Sequence, residues 1–171
     1  MTKYILYARP SGALGAELGS FWAQSKKNPK LSNEAHAYPP HCSLTGFFSG
    51  QSKDFTKKLV SALKKSVAET KKGKIQVQGI TQSGNFHYIG LNSKYLSKVT
   101  DKFIANAKTQ VIRKKASSKY HITLAHKFDS KAKKGLKKLE KNIDTSKCAS
   151  WNICLYKKEH NTLSVVKKIR V

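Results

Sequence analysis

Hydrophobic residues along this chain recur at two spacings, every second residue and every third or fourth residue, in stretches separated by polar turns. The first spacing predicts β-strands and the second predicts amphipathic helices. The predicted strands are 3–8, 41–48, the two arms of a hairpin within 74–92, 120–127, 149–157 and 162–169. The predicted helices are one that ends near Lys27, followed by 53–71, 94–112 and 129–142.

The order of these elements predicts the fold class. Strands 41–48 and 120–127 are each followed by a helix and then a hairpin, which suggests a faint internal duplication. A chain of 171 residues is long enough to bury a core as one domain. We therefore expect a single α+β domain over 1–171, with two related lobes of antiparallel sheet, helices outside and a central cleft.

Two short motifs with the same pattern lie in strands of this scheme, His41-Cys42-Ser43-Leu44 and His121-Ile122-Thr123-Leu124. Each reads histidine, any residue, a hydroxyl residue, then an apolar residue. Side chains two positions apart on a strand point to the same face. The histidine and hydroxyl of each motif should therefore project together, while Cys42, Ile122 and Leu124 face a core. If the two strands are neighbours, two imidazoles and two hydroxyls converge on one cleft.

A single occurrence of this motif is weak evidence for a functional site, because an ordinary hydrogen-bonded strand histidine also satisfies it. A third match, His160-Asn161-Thr162-Leu163, follows charged residues and contains a turn-forming asparagine, so we place His160 at a hairpin tip. The matched pair inside two apolar strands favours a functional site. His126 is expected at the end of its strand.

The charge balance favours an anionic partner. Lys and Arg number 34 against 9 Asp and Glu, for a net charge of +25, and only Arg9, Arg113 and Arg170 are arginine. Attraction to nucleic acid through such a lysine-rich surface would be diffuse and salt-sensitive rather than sequence-reading. The alternative is a merely solvated surface. It is the favoured interpretation of the basic face on the last helix, formed by Lys131, Lys134, Lys138 and Lys141.

Other features restrict the location and the metal chemistry. Three cysteines, Cys42, Cys148 and Cys154, are too few and too odd in number for a disulfide framework, which indicates a reducing compartment. No apolar stretch approaches the ~20 residues that span a bilayer. We expect a cytoplasmic monomer that binds no membrane, with the nucleus as an open alternative. A zinc site at His36, His41 and Cys42 is not expected, because no second ligand pair has the usual spacing.

The two motifs, together with Leu6-Tyr7-Ala8-Arg9-Pro10-Ser11-Gly12 and the segments 35–48, 121–128 and 151–156, resemble the 2H phosphoesterase superfamily of 2′,3′-cyclic phosphodiesterases and 2′-5′ RNA ligase-like proteins. Within it, the chain most resembles the 2H domain of the suppressor of T-cell receptor signalling (T-cell ubiquitin ligand) proteins. We expect no room for their ubiquitin-binding, SH3 or histidine phosphatase domains, so their signalling role should not transfer.

The resemblance implies a bilobal fold and hydrolysis of 2′,3′-cyclic nucleotides or RNA 2′,3′-cyclic phosphate ends, with no metal or other cofactor. By that resemblance His41 and His121 are the catalytic pair and Ser43 and Thr123 bind the phosphate. Imidazole suits this chemistry because it can both accept and donate a proton near neutral pH. The sequence leaves the roles of base and acid open: family analogy favours His121 as the base and His41 as the acid, and the opposite product isomer would exchange them. Tyr156 for base stacking and Arg9 for phosphate contact are further candidates, with packing and a surface cation as the alternatives.

Three other functions stay open from the sequence. The same residues suit a phosphodiesterase that acts on 2′-5′ linkages or RNA 3′ ends. A catalytically inactive RNA-binding module would use the positive charge alone. An interaction domain for signalling partners has support only from the resemblance.

Overall fold

The computed structural model describes residues 2–31, 34–50, 52, 54–108, 112–116, 120–147, 149–160 and 162–171. Within these ranges the chain forms an α+β fold, as predicted, in which every strand pairing is antiparallel. The strands are β1 Lys3–Ser11, β2 Cys42–Ser43, β3 Gln76–Ser83, β4 Phe86–Asn92, β5 His121–His126, β6 Ala149–Glu159 and β7 Thr162–Arg170. The helices are α1 Gly12–Lys27, α2 Phe55–Ala68, α3 Lys94–Ala107 and α4 Lys133–Glu140.

In the described part of the chain, the strands form one seven-stranded sheet in the order β3-β4-β5-β2-β1-β6-β7. The strands of the two histidine motifs, β2 and β5, are neighbours near its middle. They are joined through one residue pair, Cys42 with Ile122. The sheet therefore consists of two halves, one carrying each motif, with a short junction between them, which agrees with the bilobal arrangement expected.

The helices cover one face of this sheet. Alternate residues of β1, Tyr4, Leu6 and Ala8, join the main core with the apolar stripes of the helices. These stripes consist of Leu14, Leu18, Phe21 and Trp22 in α1, Leu59 and Leu63 in α2, Leu96, Val99 and Phe103 in α3, and Leu136 in α4. The intervening residues Ile5 and Tyr7 lie on the other face, in a small cluster with Cys154 and Tyr156. The face opposite the helices is therefore where a cleft is available.

Several elements are shorter than the sequence predicted, including α2, which was predicted over 53–71 and spans Phe55–Ala68. Strand 41–48 contributes only two residues to a ladder, because the chain beyond Ser43 changes partners: Thr45 bridges Lys114 and Phe48 bridges Tyr4. Helix 94–112 ends at Ala107, where Lys108 adopts a left-handed conformation with φ of 48°. Residues 109–111 lie outside the described part of the chain.

The last predicted helix, 129–142, divides into a 3₁₀ turn, Ser130–Ala132, and α4. Asp129 begins the turn, since its carboxylate accepts a hydrogen bond of 2.8 Å from the Lys131 backbone N–H. His160 lies in the turn between β6 and β7 with a positive φ of 53°, as predicted for a hairpin tip.

Candidate functional site

The register of β2 and β5 brings the two motifs together. In an antiparallel pair centred on Cys42 and Ile122, His41 lies across from Thr123 and Ser43 lies across from His121. The side chains of Cys42, Ile122 and Leu124 are fully buried in the core, as predicted. The histidines and hydroxyls therefore project from the opposite face, where all four line one cleft of about 640 Å³.

His41 is held on three sides. Its Nδ1 lies 2.7 Å from the Pro39 carbonyl oxygen. A carbonyl can only accept, so Nδ1 carries the proton and the neutral ring keeps its lone pair on Nε2. The Tyr7 ring stacks on the imidazole with centroids 3.8 Å apart and planes at 26°, and the Tyr38 ring meets it edge-on at 6.3 Å.

This environment keeps His41 neutral. Burial, with smaller contributions from the positive charges of Arg9 and His121, lowers the pKa of the imidazole to about 4 despite the opposing effect of the Pro39 hydrogen bond. A histidine with so low a pKa has a free base form throughout the neutral range.

His121 occupies an aromatic corner on the other side of the cleft. Its ring makes edge-to-face contacts with Phe86 and Tyr88 of β4, at centroid distances of 5.3 and 5.5 Å. Because its charge acts on the His41 ring, the two imidazoles are within electrostatic reach of each other. Diagonal neighbours on adjacent antiparallel strands are about 7–8 Å apart, a separation that leaves room for a phosphate group between two rings.

Hydroxyl side chains line the cleft beside the two histidines. Ser43 and Thr123 line the cleft with the histidines, and Thr45 joins them two residues after Ser43. Thr45 is fully buried, and its Oγ1 accepts a hydrogen bond of 3.0 Å from the Leu6 backbone N–H. This bond holds the segment that follows Ser43 against β1, and that segment forms part of the cleft wall.

Sequence comparison shows which known proteins this chain is similar to. No family model matches the chain. The mouse and human proteins called ubiquitin-associated and SH3 domain-containing protein B are each 31% identical to it over 179 residues, which cover 96% of the chain. The ecdysteroid-phosphate phosphatase of Bombyx mori is 28% identical over 167 residues, or 92% of the chain. The chain is related to the 2H-like phosphoesterases.

The chain matches only part of each relative. It spans 27% of the length of the SH3-containing proteins and 24% of the silkworm phosphatase. The word phosphatase in the silkworm protein's name therefore describes a chain about four times as long. The resemblance predicted from the two histidine motifs is confirmed as a relationship over nearly the whole of this chain.

Arg9 and Tyr156 lie behind the cleft. Arg9 Nη1 donates a hydrogen bond of 2.6 Å to the Tyr156 hydroxyl, and the Tyr156 ring packs against Tyr7 at 5.3 Å while only 2% exposed. Neither residue is among the described residues that line the cleft. Their direct contact with a ligand stays a prediction, and what the structure shows is an influence of Arg9 on His41 through charge.

Several lining residues of the 2H-like cleft were not found by sequence reasoning, among them Tyr7, Phe47, Lys115 and His126. His126 ends β5, as predicted, but its face was not predicted. On β5, Leu124 is an extra residue between the partners of His87 and Tyr88, and this bulge buries both Leu124 and Ala125. The bulge returns His126 to the cleft face, where strict alternation would have turned it inward.

His36 has a structural contact beneath the cleft. His36 is buried, and its Nε2 lies 2.8 Å from the Leu124 carbonyl oxygen, so the ring supports the strand beneath the cleft.

Among the described residues, no group of three His, Cys, Asp or Glu side chains is placed to hold a metal ion. Of the helices within the described ranges, none is long and apolar enough to cross a bilayer.

Proposed function

We propose that this chain is a phosphodiesterase that hydrolyses 2′,3′-cyclic nucleotides or RNA 2′,3′-cyclic phosphate ends by two-histidine acid–base catalysis. The supporting observation is the antiparallel pairing of β2 with β5, which aligns His41, Ser43, His121 and Thr123 in one cleft. The phosphatase named among the relatives supports phosphoester chemistry in general. The cyclic substrate is inferred from the site and the resemblance.

The reaction is a direct displacement at phosphorus. Water attacks on one side while His41 Nε2 takes its proton, and the bond to the ribose oxygen breaks on the other side as His121 donates a proton to that oxygen. The product is a phosphate monoester, and exchange of one proton through solvent restores both rings. The hydroxyls of Ser43 and Thr123 donate hydrogen bonds to the non-bridging oxygens, where charge develops in the transition state. These steps require no metal ion.

This assignment reverses the roles that family analogy favoured. A base must be unprotonated at the working pH, and His41 meets that condition because its Nδ1–H is bound to Pro39 and its pKa is about 4. An acid with so low a pKa would be protonated in only a minute fraction of molecules. His121 is therefore the better candidate for the acid.

The test is hydrolysis of the four 2′,3′-cyclic nucleotides in EDTA by wild type, His41→Ala and His121→Ala. We expect each variant to lose roughly 10³-fold in turnover, since a single acid or base is worth about 10²–10⁴. His160→Ala is a matched control, because His160 belongs to the third motif match but lies at the hairpin turn. It should retain full turnover. Near-wild-type turnover by a folded His41→Ala or His121→Ala variant would exclude the proposal.

An RNA-binding module without catalysis is the second candidate, supported by the net charge of +25. It predicts RNA binding that falls steeply with salt and survives replacement of both His41 and His121. Binding of that kind in a wild-type protein that hydrolyses neither cyclic nucleotides nor 2′-5′ linkages would favour this function.

A further inference from the structure

The cleft has one charged contact that the proposed reaction does not use. Of the described residues that line it, none is Asp or Glu, and the single lysine or arginine is Lys115. Lys115 is exposed, and no described carboxylate forms an ion pair with it. A cation facing a cleft without acidic side chains is placed to attract an anionic group of a ligand.

Backbone hydrogen bonds fix Lys115 beside the first histidine motif. The Lys115 N–H donates to the Leu44 carbonyl at 2.9 Å, and the Gly46 N–H donates to the Arg113 carbonyl at 2.8 Å. Thr45 pairs with Lys114 between them. The backbone of Lys115 is thereby anchored directly after Ser43, one of the two hydroxyls proposed to bind the reacting phosphate.

Neighbouring lysines are occupied by other partners. Lys114 Nζ donates to Asp101 at 2.6 Å and to Ser97 at 2.9 Å. Lys158 Nζ donates to the Tyr38 hydroxyl at 3.0 Å and lies 5.7 Å above the Tyr38 and Phe47 ring centroids. Among the residues that the structure describes, Lys115 is thus the lysine that the cleft offers to a ligand.

We propose that Lys115 binds a second phosphate of the substrate, the one on the 5′ side of the terminal nucleoside whose cyclic phosphate reacts. The histidines and hydroxyls already account for the reacting phosphate, and an ammonium binds a phosphate as a point charge without reading the base. A free cyclic nucleotide has no such second phosphate. The inference rests on the proposed function and selects RNA ends as the preferred class within it.

The size of the cleft is suitable for a substrate that carries this second phosphate. Its volume of about 640 Å³ lies well inside the range of ligand sites, roughly 300–1,000 Å³. Phe47 also lines it and keeps 42% of its surface exposed. An exposed ring beside a phosphate contact is a surface on which a base can stack.

The test compares two substrates that differ by one phosphate, adenosine 2′,3′-cyclic phosphate and its 5′-phosphorylated form. We expect wild type to show a kcat/KM about tenfold higher on the 5′-phosphorylated substrate, and Lys115→Met to lose that preference while its kcat/KM on the plain cyclic nucleotide stays within about twofold. Lys114→Met removes the same charge one residue earlier, outside the cleft, and should keep the preference. Equal losses on both substrates, or no loss, would overturn the proposal.

A binding measurement separates this inference from the proposed function. Calorimetry would compare adenosine 3′,5′-bisphosphate with adenosine 3′-monophosphate on the same three proteins. If Lys115 binds the second phosphate, the bisphosphate binds about tenfold more tightly to wild type and Lys114→Met but not to Lys115→Met. Equal affinities for wild type would refute the phosphate contact. If the proteins bind as expected but show no turnover, the proposed reaction is wrong and the phosphate contact of Lys115 still stands.

Discussion

At the scale of single residues, His41 shows how packing determines the chemistry of a common side chain. The Tyr7 ring stacked at 3.8 Å and the edge of Tyr38 shield part of the imidazole from solvent. The Pro39 carbonyl holds Nδ1–H and leaves Nε2 facing the cleft side. The combined effect of these three contacts is a neutral ring with a low pKa.

The low pKa of His41 predicts a specific dependence of stability on pH. Its folded pKa of about 4 lies below the ordinary value of ~6.5, so the unfolded chain binds a proton that the folded chain does not. The free energy of unfolding should therefore fall as pH decreases between these two values. Relative to His41→Gln, which lacks the titrating group, wild type should lose up to about 3 kcal/mol across this window.

Urea denaturation of both proteins at several pH values between about 3 and 7.5 measures this difference. His160→Gln removes an exposed imidazole and shows how much of the effect arises from losing any histidine. A difference between wild type and His41→Gln that stays constant with pH would mean that His41 titrates alike in the folded and unfolded chains.

At the scale of elements, a buried hydrogen-bonded pair connects α4 to the sheet beside the cleft strand. His87 of β4 is fully buried, and its Nδ1 lies 2.6 Å from Glu140 Oε1, while Gln82 Nε2 donates to Glu140 Oε2 at 2.6 Å. His87 pairs with Ala125, at the bulge that returns His126 to the cleft face. The pair therefore anchors α4 where β5 changes its alternation.

Glu140→Ala should be strongly destabilising, because it leaves the buried His87 nitrogen and the Gln82 amide without their acceptor. We expect a loss of about 3 kcal/mol in the free energy of unfolding, measured by urea denaturation. Adding His87→Leu should recover part of that loss, since the second change removes the stranded partner.

Glu69→Ala provides the control for Glu140→Ala. Glu69 pairs with Lys65 at 3.7 Å on the surface of α2, where an ion pair contributes less than about 1 kcal/mol. If both alanine variants cost the same, the buried pair would have no special role in attaching α4.

At the scale of the whole molecule, the charge of +25 is the dominant property. Like charges at this density repel one another in the compact state, and salt screens the repulsion. The Tm should therefore rise between about 50 mM and about 500 mM NaCl, as followed by circular dichroism. Replacing Lys134, Lys138 and Lys141 with Gln should raise the Tm at low salt and reduce its dependence on salt. A Tm that does not change with NaCl would show that the repulsion is negligible.

The sequence by itself determined the local elements and the identity of the chemical groups. Periodicity located four helices and the strands, because each amphipathic element must bury its apolar side whatever its neighbours are. The repeated motif indicated His41 and His121 with Ser43 and Thr123, since alternation on a strand puts each histidine and hydroxyl on one face.

The tertiary structure alone decided which of these groups meet and how they are tuned. The single pair joining β2 to β5, the bulge that turns His126 to the cleft, and the packing that lowers the pKa of His41 all depend on residues distant in sequence. Lys115 likewise reaches the cleft through its own hydrogen bond to Leu44 and the bond between Gly46 and Arg113, across about seventy residues of chain. Local patterns specify the conformation of a segment, but only the packed sheet determines its neighbours, its solvent exposure and therefore its chemistry.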